Sequence, residues 1–418
     1  MSKESIFVGI DIGSSNIKAI IARGSYDEPL RIMGIGTVPS LGIRRGAVTD
    51  PEEAAKTISE SVEKSERMAG LSVKRAAVSV GGIEISFQDA KGVVAVGKAD
   101  GEVTENDIQR VLEEVQKSPL PLNREIIHIV PRNYRLDDQE NIKDPMGMKG
   151  VRLEIDALLI EGTSSQLRNI AKCAEQADIE IDDIVLEPLA AAKAVLGKKQ
   201  KELGVVTVNI GGGTTSLAVF EEGELLHTAI LPVGAAHITN DIAIGLRTSI
   251  EVAEKIKLEY GCAVPEEINK KEEIDLAQID SQEEGIVSRY HVAEIIEARL
   301  EEIFRLVNKE LQSIKRAKLL PAGAVLSGGG AKLPYAVDVA KKILGLPSQI
   351  GYPVSLGGMF NEVDDPAFAT AVGLVLWMQE KESVSRGILS GVKVIDNISR
   401  GAEYTLDKMR RWLGKFLP

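Results

Sequence analysis

Two short glycine turns in this chain could grip a phosphate, and each is a copy of the other. The first lies within VGIDIGSSNIKAII, Val8 to Ile21, and the second within VTVNIGGGTTSLAV, Val206 to Val219. At one constant offset Asp11 aligns with Asn209, Gly13 with Gly211 and Asn16 with Thr214. Each copy reads as apolar strand, tight turn and second apolar strand, a hairpin rather than a strand-to-helix loop. Glycine reaches positive φ in such a turn and, lacking a Cβ, lets main-chain N–H groups come close to an anion. The candidate contacts are Gly13, Ser14, Ser15 and Asn16 in the first turn, and Gly211, Gly212, Gly213, Thr214 and Thr215 in the second. Facing each other, two such turns would clamp a nucleotide's phosphates from both sides.

Asp11 ends the first strand, where its carboxylate would repel bound phosphate unless a divalent cation intervened. Mg²⁺ suits the place because it keeps several waters and is held by only one or two carboxylates, so Asp11 would reach it through water. Lys18 adds a positive charge on the return strand, and Asn209 stands where the first copy has its acid. Alone, the first turn also fits a plain hairpin; its recurrence as IGGGTT strengthens the phosphate reading. A third glycine run, Ser327-Gly328-Gly329-Gly330-Ala331, follows a strand and precedes Pro334 and a helix. That position suits backbone contact with a nucleoside or α-phosphate, although an ordinary strand–helix turn would look similar. Glu254 and Lys257 share a helical face at i and i+3, which fits ribose binding and an exposed ion pair equally well.

The elements that must hold these residues are written in the apolar pattern. Strand signals recur at Ile6–Asp11, Ile17–Ala22, Ile32–Val38 and Ala76–Val80, rich in β-branched residues. Asp50, Pro51, Glu52 and Glu53 open a helix whose Ala54, Ala55, Ile58 and Val62 keep helical spacing. From about Phe87 to Ile160 the texture changes to short strands (Gly92–Gly97, Ile126–Tyr134, Glu154–Leu159), one helix opened by Thr104, and a polar loop, Asp137–Gly150. Helix Ser164–Gln176 and strand Asp183–Glu187 return to the first pattern, and the charged Lys198–Glu202 marks the crossing into the second half. Strands Gly204–Asn209, Ser216–Phe220 and Glu224–Leu231 repeat the opening triplet. Mostly helical sequence follows over Ala236–Leu319, with Thr248 and Glu251 spaced as a capping box. Glu187–Ala192 and Pro366–Gly373 carry small side chains that would let two helices cross closely, as a hinge requires, though plain helix packing also uses alanine.

Composition bounds the class. The 418 residues allow two or three domains, and 44% hydrophobic with 27% charged is ordinary for a globular chain. The net charge of −12 argues against nucleic acid. Cys173 and Cys262 are too few and too far apart for a disulfide scaffold, which fits a reducing cytosol. His128, His227, His237 and His291 lack metal-ligand spacing. Met1–Ser5 leads straight into a strand with no signal-peptide pattern, and Ala367–Met378 is too short to span a bilayer, so a cytoplasmic chain is expected.

The C-terminus carries a separate signal. Past Glu380 the sequence turns polar and loses periodicity until Tyr404, as a flexible linker does. On a helix from Tyr404, Leu406, Met409, Trp412, Leu413, Phe416 and Leu417 fall within an arc of about 140°. Lys408, Arg411 and Lys415 lie outside that arc and Arg410 at its edge. A basic face opposite Trp, Phe and Leu describes a helix lying in a membrane interface. A helix docking on the protein's own surface is the alternative; the linker and the basic charge in an acidic chain favour the anionic membrane.

With these motifs in place, the chain closely resembles the FtsA family of actin-like bacterial cell-division proteins. The match runs from Ile6 to the final helix and includes Gly42–Ile58, Ile126–Ile160 and Thr239–Lys257, with the stretch DPMGMKGVRLE, Asp144 to Glu154, specific to that family. The resemblance implies an α/β, actin-like ATPase fold: two lobes with duplicated mixed sheets around a nucleotide cleft, plus an inserted small α/β subdomain. It divides the chain into a first core subdomain (1–85, 162–199 and 367–380), the insertion (86–161), a second core subdomain (200–235 and 302–366) and a helical subdomain (236–301). A linker (381–403) and a membrane-targeting helix (404–418) follow.

The same resemblance implies ATP and Mg²⁺ as cofactors, self-association into filaments on the cytoplasmic face of the cell membrane at the division site, and recruitment of FtsZ and other divisome proteins. The FtsZ C-terminal tail would dock on the helical subdomain, where Arg289 and Arg299 are the candidate contacts. Many relatives in the wider clan have an acid where this chain has Asn209. An amide neither accepts a proton nor carries charge, so hydrolysis is expected to be slow or absent, with Glu187 left to position a water. The alternatives are a cytoplasmic actin-like ATPase of a pilus or secretion assembly, which has no use for a membrane helix, and a phosphohydrolase or small-molecule kinase of the clan, which Asn209 disfavours.

Overall fold

The computed structural model describes residues 4–25, 28–358 and 361–385. The chain opens with an antiparallel meander, β1 (Ser5–Ile12), β2 (Asn16–Gly24) and β3 (Arg31–Pro39), whose Val8, Ile10, Ile17, Ala19 and Ile21 enter the core. A minimal hairpin follows, β4 (Ile43–Arg44) and β5 (Ala47–Val48). Its tip residues Arg45 and Gly46 have φ of 49° and 76°, the left-handed pair that a two-residue hairpin turn demands. Helix α1 (Pro51–Ala69) starts where the Asp50 carboxylate accepts the N–H groups of Glu52 and Glu53. It lies directly on β3, because a Cβ on Gly36 would come within 1.8 Å of the Ser61 carbonyl oxygen. β6 (Arg75–Val80) then joins parallel to β1.

The change of texture near Phe87 marks a separate sheet. β7 (Ser86–Ala95), α2 (Glu105–Gln116), β8 (Arg124–Leu136), β9 (Gln139–Ile142) and β10 (Arg152–Thr163) form it in the order β7-β10-β8-β9. Val111 and Val115 of α2 pack on Ile129, Leu153 and Ile155 in a core of their own. β7 begins before Gly92, the start read from the sequence. That glycine sits mid-strand under α2, where a Cβ would meet the Val111 carbonyl oxygen at 2.4 Å. β9 lies inside the segment read as loop; it is a solvent-facing edge strand, so no apolar alternation announces it.

α3 (Ser164–Gln176) returns the chain to the first sheet, and β11 (Glu180–Leu186) completes it in the order β11-β6-β1-β2-β3. Glu187 ends the strand reading but begins α4 (Glu187–Val195); the charged crossing segment folds as α5 (Lys198–Leu203). The second meander, β12 (Val205–Ile210), β13 (Thr215–Glu221) and β14 (Glu224–Leu231), repeats the first.

α6 (Ala235–Leu246), α7 (Ile250–Tyr260), β15 (Glu273–Asp275), α8 (Leu276–Ile279), β16 (Ile286–Ser288) and α9 (Arg289–Ser313) form a helical unit interrupted by a two-stranded ribbon. The expected capping box does not form. Ser249 caps α7 by accepting from the Val252 N–H at 3.2 Å, and the Thr248 hydroxyl donates instead to Glu283 at 2.6 Å. β17 (Ala324–Ser327), α10 (Ala336–Leu344) and β18 (Ser348–Ile350) finish the second sheet, β14-β13-β12-β17-β18. Both five-stranded sheets are thus a three-stranded meander extended by two parallel strands.

α11 (Ala369–Ser385) continues past Glu380, where the sequence turns polar. The amphipathic helix expected over 404–418, and the linker beyond Ser385, lie outside the described residues. Among the described residues no helix is long and apolar enough to cross a membrane. α11 crosses α4 with backbone in contact, and α4 packs on strands of both five-stranded sheets. Alanine at a helix interior normally gains up to about 1 kcal/mol over glycine. At Gly373, however, the added Cβ would lie 1.8 Å from the Ala190 carbonyl oxygen. Gly373→Ala is therefore expected to destabilise the chain by about 1–3 kcal/mol, as overpacking does. A lowered thermal unfolding midpoint is the expected reading, and a raised one would contradict the crossing.

Candidate functional site

A cleft of about 770 Å³ opens where the turns of the two meanders face each other. Its walls bring together Asp11, Gly13, Ser14, Ser15, Asn16 and Lys18 from the first copy and Asn209, Gly211, Gly212, Gly213 and Thr214 from the second. Glu187, Glu254, Lys257, Gly328, Gly329 and Gly330 complete the set read from the sequence. Two nominated residues do not reach it. Thr215 opens β13 and is fully buried, and Ala331 packs into the apolar core beneath the third glycine run.

The two turns touch. A Cβ on Gly212 would lie 1.9 Å from Ser15 Oγ, and one on Gly213 would lie 3.0 Å from Ser14 Oγ. Glycine is needed at the first of these because the approach leaves no room for a side chain. Behind the second turn, a Cβ on Gly234 would lie 2.6 Å from both the Gly211 and Gly212 carbonyl oxygens. Those carbonyls accept the N–H groups of Ala235 and Ala236 at 2.8 and 2.9 Å, so the start of α6 braces the turn from behind. In the third run Gly328 takes φ of 83°, and Gly329 faces open space in which a ligand could approach its backbone.

The floor of the cleft holds two acids. Asp11 accepts from Ser79 Oγ at 2.9 Å and faces Lys18 Nζ at 3.7 Å. Burial raises its pKa, against the opposing pull of Lys18. Glu187 Oε1 accepts from the Asn209 side-chain amide and, at 3.1 Å, from Ser216 Oγ. Burial first, and the nearby Asp11 charge second, lift the Glu187 pKa to about 7. The Asn209 carbonyl oxygen accepts from Ser327 Oγ at 3.2 Å, so this amide ties three strand ends together. A buried and a half-buried carboxylate, of which one burdens the other, with Lys18 close by, form a donor set suited to a hard cation that keeps its waters.

At the mouth, Lys257 donates to Glu254 at 2.6 Å and to Thr239 Oγ1 at 2.9 Å. Lys257 is buried while the Glu254 side chain is 42% exposed, so the pair presents a carboxylate rather than an ammonium to the cleft. Sequence reasoning missed Ser79, Gly46, Gly81, Lys332 and Thr370, which also line the cleft. Lys332 directly follows the third glycine run; the others come from a strand end, a hairpin tip, a connecting turn and a helix start remote from the glycine motifs, and nothing in their local sequence announces them. Arg289 and Arg299 lie away from the cleft, and both are engaged. Arg299 grips Asp241 at 2.6 and 2.9 Å, and Arg289 pairs with Glu272 at 2.5 Å and donates to the Tyr260 carbonyl at 2.9 Å.

Comparison with known proteins is decisive at this point. The family described as Cell division protein FtsA matches residues 206–373, and the SHS2 domain inserted in FTSA matches residues 82–161. Cell division protein FtsA of Pseudomonas aeruginosa is 36% identical over 98% of this chain and 97% of its own length. The chain belongs to the FtsA family of cell-division proteins. FtsA of Bacillus subtilis is 39% identical over 90% of this chain and 84% of its own, and that of Escherichia coli K12 is 30% identical over 98% of both. The FtsA membership places the chain's role in cell division.

Solved structures share the fold at lower identity. The PilM-PilN type IV pilus biogenesis complex aligns with a TM-score of 0.65 at 16% identity, over 91% of this chain and 98% of that one. MreB 5 of Spiroplasma citri bound to AMPPNP aligns with 0.52 at 16%, over 93% and 99%. The fold is that of the actin-like ATPases.

The Glu187 carboxyl yields a pH test. Its folded pKa of about 7 lies above the ordinary 4.5, so between those values the folded chain keeps a proton that the unfolded chain has released. Stability therefore falls as pH rises through that window. Glu187→Gln keeps an acceptor for Asn209 and Ser216 and removes the charge. Unfolding midpoints measured from pH 5 to 8 are expected to show the variant gaining on the unaltered chain as pH rises; parallel curves would contradict the acid pair.

Proposed function

We propose that this chain is an ATP-binding, actin-like cell-division protein that polymerises on the inner face of the cytoplasmic membrane and anchors FtsZ filaments there. The observation that carries the nucleotide part is the contact between the two glycine turns beside the acids Asp11 and Glu187. Backbone N–H groups of the turns would offer donors to phosphates from both sides, and the MreB 5 structure with AMPPNP shares this fold. Asp11, with Glu187 near it, would hold Mg²⁺ through water, and the ion would neutralise charge on the phosphates. Lys18 stands 3.7 Å from Asp11 and adds a fixed positive charge. Gly328, Gly329 and Gly330 would take the nucleoside side, with Glu254 toward the ribose.

Hydrolysis is slow or absent in this reading. Asn209 carries no charge, and its amide spends its donor on Glu187 and its acceptor on Ser327. Water positioning falls to Glu187 alone, whose Oε1 already takes two hydrogen bonds. Asp11→Asn is expected to weaken Mg²⁺-dependent binding of a fluorescent ATP analogue at least about tenfold, the scale of one charge-assisted contact. Equal affinity with and without Mg²⁺ in both forms would oppose the assignment.

The membrane part rests on the sequence of residues 404–418, with Leu406, Met409, Trp412, Leu413, Phe416 and Leu417 on one face and Lys408, Arg410, Arg411 and Lys415 beside it. One short helix binds weakly, and a filament that lines up many multiplies avidity without new contacts. An FtsZ tail would meet the helical subdomain by exchanging its own acidic groups for Asp241 or Glu302 at Arg299, and for Glu272 at Arg289. Co-sedimentation with anionic liposomes is expected to pellet the intact chain and leave one ended at Glu403 in solution. A synthetic FtsZ C-terminal tail is expected to pellet with the intact chain and to lose that retention in Arg299→Glu. If both chain lengths stay soluble at low salt, the pilus- or secretion-type cytoplasmic ATPase becomes the better reading.

A further inference from the structure

Two segments join the inserted sheet to the rest of the chain, and one buried side chain ties them together. Gly81 and Gly82 lead from β6 toward β7, and Thr163 leads from β10 into α3. Gln166, in the first turn of α3, is only 4% exposed and does not itself line the cleft. Its side-chain N–H₂ donates to the Gly81 carbonyl at 2.8 Å and to the Gly46 carbonyl at 3.0 Å. Its Oε1 is buried without a hydrogen-bond partner, a cost usually of order 1–3 kcal/mol that the two donated bonds must offset.

Each carbonyl that Gln166 holds belongs to a residue touching the phosphate machinery. The Gly46 N–H donates to Ser14 Oγ in the first glycine turn at 2.9 Å. Gly81 lies so close to Glu187 that a Cβ there would sit 2.7 Å from Glu187 Oε2. The two glycine segments also press on one another. A Cβ on Gly46 would be 2.6 Å from Gly82 Cα, and one on Gly82 would be 2.5 Å from the Arg45 carbonyl oxygen. Backbone packed this tightly passes on a displacement instead of absorbing it. A phosphate that drew the Ser14 hydroxyl away would free the Gly46 N–H, and a cation that drew Glu187 would change the packing beside Gly81. Both movements converge on the Gln166 amide.

We propose that Gln166 is a positioning residue that couples occupancy of the cleft to the orientation of the inserted sheet (residues 86–163), and that this coupling is how bound nucleotide regulates self-assembly. The inference rests on the nucleotide reading of the cleft. It assigns the regulation to a contiguous set of contacts, Ser14–Gly46–Gln166–Gly81, with Gln166 outside the binding site itself.

The test is amide hydrogen exchange on the full chain, with and without ATP and Mg²⁺, alongside affinity for a fluorescent ATP analogue. In the unaltered chain, ATP is expected to slow exchange across 81–95 and 152–166 by about fivefold or more, the lower end of ordinary allosteric coupling. Gln166→Leu and the more conservative Gln166→Glu, which both lose the donors, are expected to bind the analogue within about twofold of the unaltered chain and to lose that slowing. Their assembly, followed by light scattering, should become equal with and without ATP. Slowing preserved in both variants would overturn the proposal, as would ATP binding by the unaltered chain with no change in the inserted sheet. No analogue binding by the unaltered chain would instead remove the nucleotide reading, and the coupling with it. An unfolded Gln166→Leu would leave the unaltered chain and Gln166→Glu to decide.

Discussion

The contact between the two glycine turns constrains everything else in this molecule. Gly212 must lack a side chain because Ser15 Oγ stands where a Cβ would be. Backbone N–H groups can surround an anion only if the chain comes this close, and only glycine permits it at such a point. The rest of the architecture serves that approach. Each turn joins two strands of a buried meander, the start of α6 braces the second turn through Ala235 and Ala236, and Gly46 braces the first through Ser14. Below them α4 and α11 cross at Ala190 and Gly373 with backbone against backbone, which brings the two sheets near enough for their turns to meet.

Bringing the sheets together also brings charge together. Asp11 and Glu187 share the floor of the cleft; burial holds both pKa values up, and the Asp11 charge adds to the rise at Glu187. This bears on one difference between the copies, Asp11 against Asn209. A third carboxylate in place of Asn209 would stand against Glu187 and raise the burden further. The amide instead donates to Glu187 and accepts from Ser327, so it knits the floor and adds no charge. An amide at this position also neither accepts a proton nor carries charge.

The inserted sheet packs into two apolar cores. Val111, Val115, Ile129 and Leu153 form a core on one side of it, Ile127, Val130, Leu158 and Ile160 join the core of the first sheet, and its joining segments pass beside the phosphate turns. Across the other side, Arg132 donates to the Leu226 carbonyl at 2.8 Å and Lys143 to the Glu222 carbonyl at 2.6 Å, so the insertion also touches the second meander. Polar contacts such as these are easier to exchange than the buried apolar ones that join the sheet to the first core.

The sequence by itself determined the local elements and their duplication. Alternating Val, Ile and Ala residues specify buried strands, Asp50 and Pro51 specify where α1 begins, and GSS and GGG specify tight turns, because each of these depends only on neighbours along the chain. The family resemblance, confirmed by the FtsA relatives, was legible for the same reason. Where the signal needed a partner from far away, the sequence was silent or misleading. Gly92 looked like a strand start but makes room for α2; Thr248 had capping-box spacing but bonds Glu283; Thr215 and Ala331 belonged to the right motifs but turn into the core. Ser79, Gly81 and Gln166 carry no motif at all. Only the tertiary structure could decide their places, because burial, repulsion between Asp11 and Glu187, and close backbone approach are properties of distance in space.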